Sequence, residues 1–321
     1  MYDLVIIGAG PAGIMAAYQA KQAGLRYVVL EKGLIGNTIY NYPVGLTVFS
    51  TIDELEFFPR TLMPAREKPT REELLSYYVR FVLDNELEIR TEEAVQSVTE
   101  CTPFRITTDK GEYSAHNVLF AIGAMDHPRR LGVPGEELPK VHDHFRETYP
   151  WVRKKALVVG GGNSAGEAAL FLAQEGADTT LAVFRDDWQN TDPKQGCIKY
   201  WVKQPLEAEL ERRCLNLFFL GRVIEIRENE VTLEDEHGVA VTLPNDVVFV
   251  LIGSDADMTM LKGLGVTTKL GKYGETPIYD PETFETCVPG IYVAGHFTEQ
   301  RHIKGAIDAA RTLVPKIAAK R

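Results

Sequence analysis

The sequence predicts an α/β fold in which one strand–turn–helix domain is inserted into another. Three observations predict it: a GAGPAG turn that follows an apolar strand near the N-terminus, a GGGNSA turn at residues 160–165, and apolar strands ending in glycine on either side of the second turn. A length of 321 residues suits two cores, and 45% apolar with 25% charged residues is the balance of an ordinary globular chain.

The first element is the strand Leu4, Val5, Ile6 and Ile7. Gly8, Ala9, Gly10, Pro11, Ala12 and Gly13 then spell GxGxxG, and residues 14–23 continue as a helix of small and apolar side chains. Gly8 permits the tight turn, Gly10 lets the backbone approach a pyrophosphate, and Gly13 lets helix and strand pack closely, with the anion on the helix N-terminus. The next strand, residues 27–30, ends in Glu31, 18 residues beyond Gly13. That is close to the separation at which an acid accepts ribose hydroxyls.

The second turn follows Ala156, Leu157, Val158 and Val159. Gly160, Gly161, Gly162, Asn163, Ser164 and Ala165 read GxGxxA, with a helix over residues 167–175. The strand after it, residues 179–184, ends at Arg185 rather than at an acid, although Asp186 and Asp187 come next. An arginine there pairs with a 2′-phosphate, which favours NADPH over NADH; the alternative is a solvated surface arginine.

Two such turns imply two dinucleotides and hydride traffic between them. The runs ending at Gly123 and Gly253 bracket the second unit, and Ile291, Tyr292, Val293, Ala294 and Gly295, with a helix over residues 304–316, complete the first. The expected architecture is therefore two Rossmann-like dinucleotide-binding domains, residues 1–122 with 252–321 and residues 123–251. Residues 128–139 and 255–264 are the candidate linkers by their Pro and Gly content.

Charge and cysteine usage narrow the function. A net charge of −10 disfavours nucleic acid, which needs clustered Lys and Arg. Four cysteines, at 101, 197, 214 and 287, show neither a CxxC nor a metal-ligand spacing, so no metal is expected and a reducing cytoplasm fits. No signal peptide and no membrane-length apolar run are read.

GAGPAG with Glu31, the AIG and LIG crossovers, GGGNSA and the late GIYVAG resemble flavoproteins of the low-molecular-weight thioredoxin reductase type over essentially the full length. Ile39, Tyr40, Asn41, Tyr42, Pro43, then Thr47, Val48, Phe49 and Ser50 resemble the YpdA-type bacillithiol disulfide reductases, as do Leu138, Pro139, Lys140, Val141 and residues 274–279. The resemblance implies FAD in the N-terminal domain, NADPH in the inserted one, a homodimer, and reduction of a low-molecular-weight thiol disulfide. Gly8, Gly10, Gly13 and Glu31 would hold FAD, and Gly160, Gly162, Ser164 and Arg185 NADPH. Pro11, Ala12, Lys32, Thr38, Asn41, Tyr42, Gly123, Asn163, Ala165, Gly253, Gly295, His296, Gly305 and Ala306 complete the expected cofactor contacts. Asn41 and Tyr42 are expected against the flavin, with Tyr40, Tyr42 and Phe49 otherwise reading as aromatic core.

Three positions depart from that pattern. Where thioredoxin reductases carry a CxxC, this chain has Val141, His142, Asp143, His144, Phe145 and Arg146; Ala12 stands where the YpdA type has a cysteine in the first glycine turn; and His296 replaces the acid that commonly follows the late AG dipeptide. Hydride transfer to flavin survives these changes, but the usual thiolate for opening a disulfide is missing. Cys197, between Lys194 and Lys199, is one substitute, and His142 and His144 are candidate proton donors or plain hinge histidines. Cys101, Cys214 and Cys287 read as bland. Ferredoxin, dioxygen or another non-disulfide acceptor is the alternative partner, and a flavin- or nucleotide-binding redox sensor the alternative class.

Overall fold

In the computed structural model, residues 1–100, 103–192, 198–271 and 274–320 are described. The chain divides into two compact units, Met1–His127 with Asp255–Arg321, and Pro128–Ser254.

The first unit is built on a seven-stranded sheet. Ile89–Arg90, Tyr27–Leu30, Tyr2–Ile7 and Glu112–Phe120 run parallel in that order. The long strand Glu112–Phe120 then forks: its first half pairs antiparallel with Phe104–Thr108, and its second half pairs parallel with Ile291–Val293. Both faces are covered, so the central strands are continuous apolar runs with side chains alternating between two cores. Leu4, Ile6, Val29 and Leu119 face the helices Pro11–Gln22 and Ile303–Ala319, whereas Val5, Ile7, Val28 and Val118 join Phe104, Ile106, Met258 and Leu261 on the other side.

Register puts the carboxyl ends of these strands level. Ile7 lies beside Leu30 and Phe120, and Val293 beside Phe120. Gly8, Glu31, Ala121 and the Ala294–Gly295 dipeptide therefore leave the sheet along one edge, which is where open α/β sheets take ligands.

The second unit repeats the plan. Val141–His142, Val247–Val250, Lys155–Val159, Asp178–Val183 and Leu215–Ile226 are parallel neighbours, and the sheet is extended by the antiparallel strands Glu230–Asp235 and Ala240–Pro244. Asn163–Gln174 and Tyr200–Glu211 pack on one face of it with Ala165, Ala169, Leu172, Val202 and Leu206 in the core.

Three expectations change. The helices begin earlier than periodicity suggests, at Pro11, Asn163 and Ile303, because their glycine-rich first turns are already helical and Pro11 sits in the first turn, where a missing N–H costs nothing. The segments expected to be linkers are packed: Leu131, Val133 and Leu138 sit against the core of the second unit, and Met258, Leu261 and Leu264 are buried in the first. Phe49, expected in the aromatic core, is exposed.

Candidate dinucleotide sites

In the first unit a cavity of about 280 Å³ opens at the carboxyl edge of the sheet. The glycine turn forms one wall. Gly8 has φ +107°, and a Cβ there would meet the Ala121 carbonyl oxygen at 2.5 Å, so both backbone shape and space demand glycine. A Cβ on Gly13 would lie 1.9 Å from the Gly8 carbonyl oxygen, whereas one on Gly10 meets nothing within 4 Å. Gly10 is also the residue before the helix Pro11–Gln22 and offers no side-chain cap. A pyrophosphate fits this arrangement: free space at Gly10, helix N–H groups behind it, and no Cβ in the way.

Glu31 joins the turn to the cavity. It is buried; Ala9 N–H donates to its Oε2 and Gly33 N–H to its Oε1, both at 2.7 Å. Burial pushes its pKa up, the two N–H groups and Lys32 pull it down, and Asp126 adds a smaller push upward. Each carboxylate oxygen keeps a lone pair for a ribose hydroxyl. Lys32 Nζ pairs with Asp126 Oδ2 at 2.9 Å on the cavity wall.

Further lining comes from the C-terminal part of the unit. A Cβ on Gly295 would lie 3.6 Å from Ala12 Cβ, so the late AG dipeptide packs on the glycine turn. His296, His302 and Ala306 also line the cavity, His302 being the residue before the helix Ile303–Ala319. Desolvation lowers the His296 pKa, and the nearby charges of Arg301 and His302 lower it further.

Of the expected contacts in this unit, Gly8, Gly10, Pro11, Ala12, Glu31, Lys32, Thr38, Tyr42, Gly123, Gly295, His296 and Ala306 line the cavity. Three do not. Gly13 is used for helix-strand approach, Asn41 is exposed at the end of the short helix Asn37–Tyr40, and Gly305 is pressed against Gln300, whose Oε1 lies 2.9 Å from where a Cβ would be. Met125, Asp126, Asp257, Met260 and His302 line it as well, beyond the contacts that the sequence singles out. The signal for His302 is its place just before an apolar helix; Asp257 and Met260 lie in a segment whose composition reads as linker.

The second turn has the same construction. A Cβ on Gly160 would meet the Leu251 carbonyl oxygen at 2.3 Å, and Gly162, before the helix Asn163–Gln174, has nothing within 4 Å. Ala165 is fully buried and Ser164 exposed, so the first is packing and the second accessible. Asn163 is already engaged, its Oδ1 accepting Lys199 N–H at 2.8 Å. The Asp187 carboxylate lies beside Gly161, 2.4 Å from a Cβ there, and burial, then Asp186, raises its pKa. Gly253 adjoins the Arg129 side chain within the same unit.

Arg185 is not a free surface residue. Its Nε donates to Glu236 Oε2 at 2.5 Å, its Nη2 donates to Glu236 Oε1, and its guanidinium carbon lies 3.7 Å from the centroid of the Phe219 ring. Glu167, in the helix Asn163–Gln174, carries no sequence signal of its own; desolvation pushes its pKa up to about 7.

The catalytic candidates fare differently. His142 ends a strand of the second unit and packs between Trp151 and Phe249, its Nε2 buried without a partner, while His144 is exposed with Nδ1 2.5 Å from Asp143 Oδ1. His142 is thus an aromatic-cluster residue, its pKa lowered mainly by burial. Cys197 lies outside the described residues. Cys287, bland in sequence, is an exposed thiol whose Sγ accepts the Thr267 N–H at 3.4 Å and adjoins its hydroxyl, and these contacts lower its pKa. Among the described residues there is no group of three or more His, Cys, Asp or Glu placed to hold a metal ion, and no helix long and apolar enough to cross a membrane.

Known proteins share this geometry. A sequence model described as "Pyridine nucleotide-disulphide oxidoreductase" matches residues 5–295. The chain is 36% identical to bacilliredoxin reductase Bdr of Bacillus subtilis over 91% of this chain and 88% of that protein. It is similar in structure to bacillithiol disulfide reductase Bdr (YpdA) from Staphylococcus aureus, with TM-score 0.91, 31% identity and coverage of 99% of this chain and 98% of the other. The Bacillus cereus counterpart gives TM-score 0.90 at 30% identity, covering 100% and 99%. The chain belongs to the pyridine nucleotide-disulphide oxidoreductase family.

Proposed function

We propose that this protein is an FAD-dependent NADPH oxidoreductase that reduces a low-molecular-weight thiol disulfide of the bacillithiol type. The observation that carries this reading is the pair of glycine cradles, each open at the glycine before its helix, in a chain that shares its full length with the bacillithiol disulfide reductases. The first unit, 1–127 with 255–321, takes FAD, and the second, 128–254, takes NADPH. Bound FAD supplies the step between a two-electron hydride donor and the acceptor.

The chain's own residues divide the remaining work. Gly10 and the N-terminus of Pro11–Gln22 receive the pyrophosphate of FAD, and Glu31 holds its adenosine ribose while fixing the turn through Ala9. Gly162 and the N-terminus of Asn163–Gln174 do the same for the nicotinamide dinucleotide. Among the described residues no cysteine lines the first cavity, so none of them offers a thiolate there to open a disulfide by exchange. His296 and His302 place imidazoles on its wall, each with ring nitrogens that can hydrogen-bond an acceptor.

Anaerobic reduction by NADPH, followed by a panel of oxidants, tests this. The protein as purified carries the yellow of FAD, NADPH bleaches it, and bacillithiol disulfide restores it through repeated cycles. Restoration by ferredoxin or dioxygen alone would replace the acceptor, and bleaching without turnover would point to a sensor.

A further inference from the structure

Arg185 opens the short helix Arg185–Gln189 directly after the strand Asp178–Val183, at the strand end next to the Gly160 turn, where the adenosine ribose is met in sheets of this kind. A guanidinium has two edges that can each make a paired hydrogen bond. One edge, Nε with Nη2, is taken by Glu236, which reaches Arg185 from 51 positions away in the chain. The flat face is fixed by Phe219. The outer edge, Nη1 with Nη2, remains for a ligand.

We infer that Glu236 is a selectivity residue of the nucleotide site: by neutralising Arg185 it limits how much better a 2′-phosphate binds than a 2′-hydroxyl. This rests on the reading that the second unit binds NADPH. The physical reason is that a phosphate docked on the outer edge of the guanidinium faces a nearly neutral pair rather than a cation, with the carboxylate just behind it. Phe219 is a second, independent hold on the guanidinium, whose carbon lies 3.7 Å from the ring centroid. Asp187 does not replace it, because it faces Gly161 in the turn, a part of the site common to both dinucleotides; Asp186, next to Arg185 in the chain, and Asp235 and His237, next to Glu236, are the other ionisable neighbours, His237 Nε2 lying 3.6 Å from Glu236 Oε1 on an exposed side chain.

The test is calorimetric titration of the full-length, FAD-loaded, oxidised protein with 2′,5′-ADP and with 5′-ADP. Glu236→Gln and Glu236→Ala should each tighten 2′,5′-ADP about tenfold, as expected for releasing one unit charge at close range, while 5′-ADP is unchanged. Arg185→Ala should remove the difference between the two ligands, and Asp187→Asn should tighten both by the same factor. Weaker 2′,5′-ADP binding in both Glu236 variants, or an equal shift for both ligands, overturns the inference and leaves the nucleotide site standing. Failure of the unaltered protein to bind either ligand overturns the site and the inference together.

Discussion

A Cβ placed on Gly13 would stand 1.9 Å from the carbonyl oxygen of Gly8, closer than any folded backbone permits. These two glycines are thus one device: the first bends the chain, and the second lets the helix return against the bend. Gly10, between them and in the lining of the cavity, has room for a methyl group.

Gly13→Ala and Gly10→Ala should therefore separate fold from ligand. The first forces backbone apart in the core and should cost about 3 kcal/mol of stability. The second should leave the melting temperature of the FAD-free protein unchanged and lower the flavin-to-protein ratio. Thermal unfolding and flavin absorbance of both variants decide it; equal loss of stability would refute the division of labour.

Glu31→Gln tests the acid that bridges turn and cavity. The amide keeps one acceptor but turns an N–H donor toward the N–H of Ala9 or Gly33. A cost of about 1–3 kcal/mol follows from one unsatisfied buried group. FAD affinity, measured by titrating the apoprotein and following flavin fluorescence, should fall at the same time.

Glu167 should make stability depend on pH. Its folded pKa, about 7, lies above the ordinary 4.5, so the folded state prefers the neutral acid. That contribution is fully present below the unfolded pKa and is lost as pH rises through about 7. Glu167→Gln mimics the neutral acid at every pH, so the variant should match the parent below about pH 4.5 and exceed it above pH 7 by on the order of 3 kcal/mol. Melting curves at pH 5 and pH 8 check this, and a difference independent of pH would exclude burial of this carboxyl as the cause.

Cys287 should be the more reactive of the two described free thiols, both of which are exposed. Contacts from Thr267 stabilise its thiolate, so iodoacetamide at pH 7.5 should label it several-fold faster than Cys214, by peptide mass analysis. Thr267→Val, which removes the hydroxyl, should slow the labelling of Cys287 and leave that of Cys214 alone.

Much of the candidate site is legible in the amino-acid sequence. Gly8, Gly10, Glu31, Gly160 and Gly162 stand out there because their chemistry is local: a turn, a helix start and a strand end lie within a few residues of one another. Phe49 misleads because a proline-stiffened aromatic segment has the same pattern whether it faces the core or water. Cys287 reads as bland because Thr267, which conditions it, stands 20 residues away.

The amino-acid order alone determined the two glycine cradles, the acid that follows the first and the α/β class, since each is a short-range consequence of glycine conformation, helix N-termini and apolar periodicity. The fold decided which groups meet beside those cradles: Glu236 on Arg185, Asp126 on Lys32, and His302 in the lining of the same cavity as Gly10. Such meetings depend on strand register and on where distant loops return. A carboxylate there changes the charge a ligand encounters, and nothing in the neighbouring residues announces it.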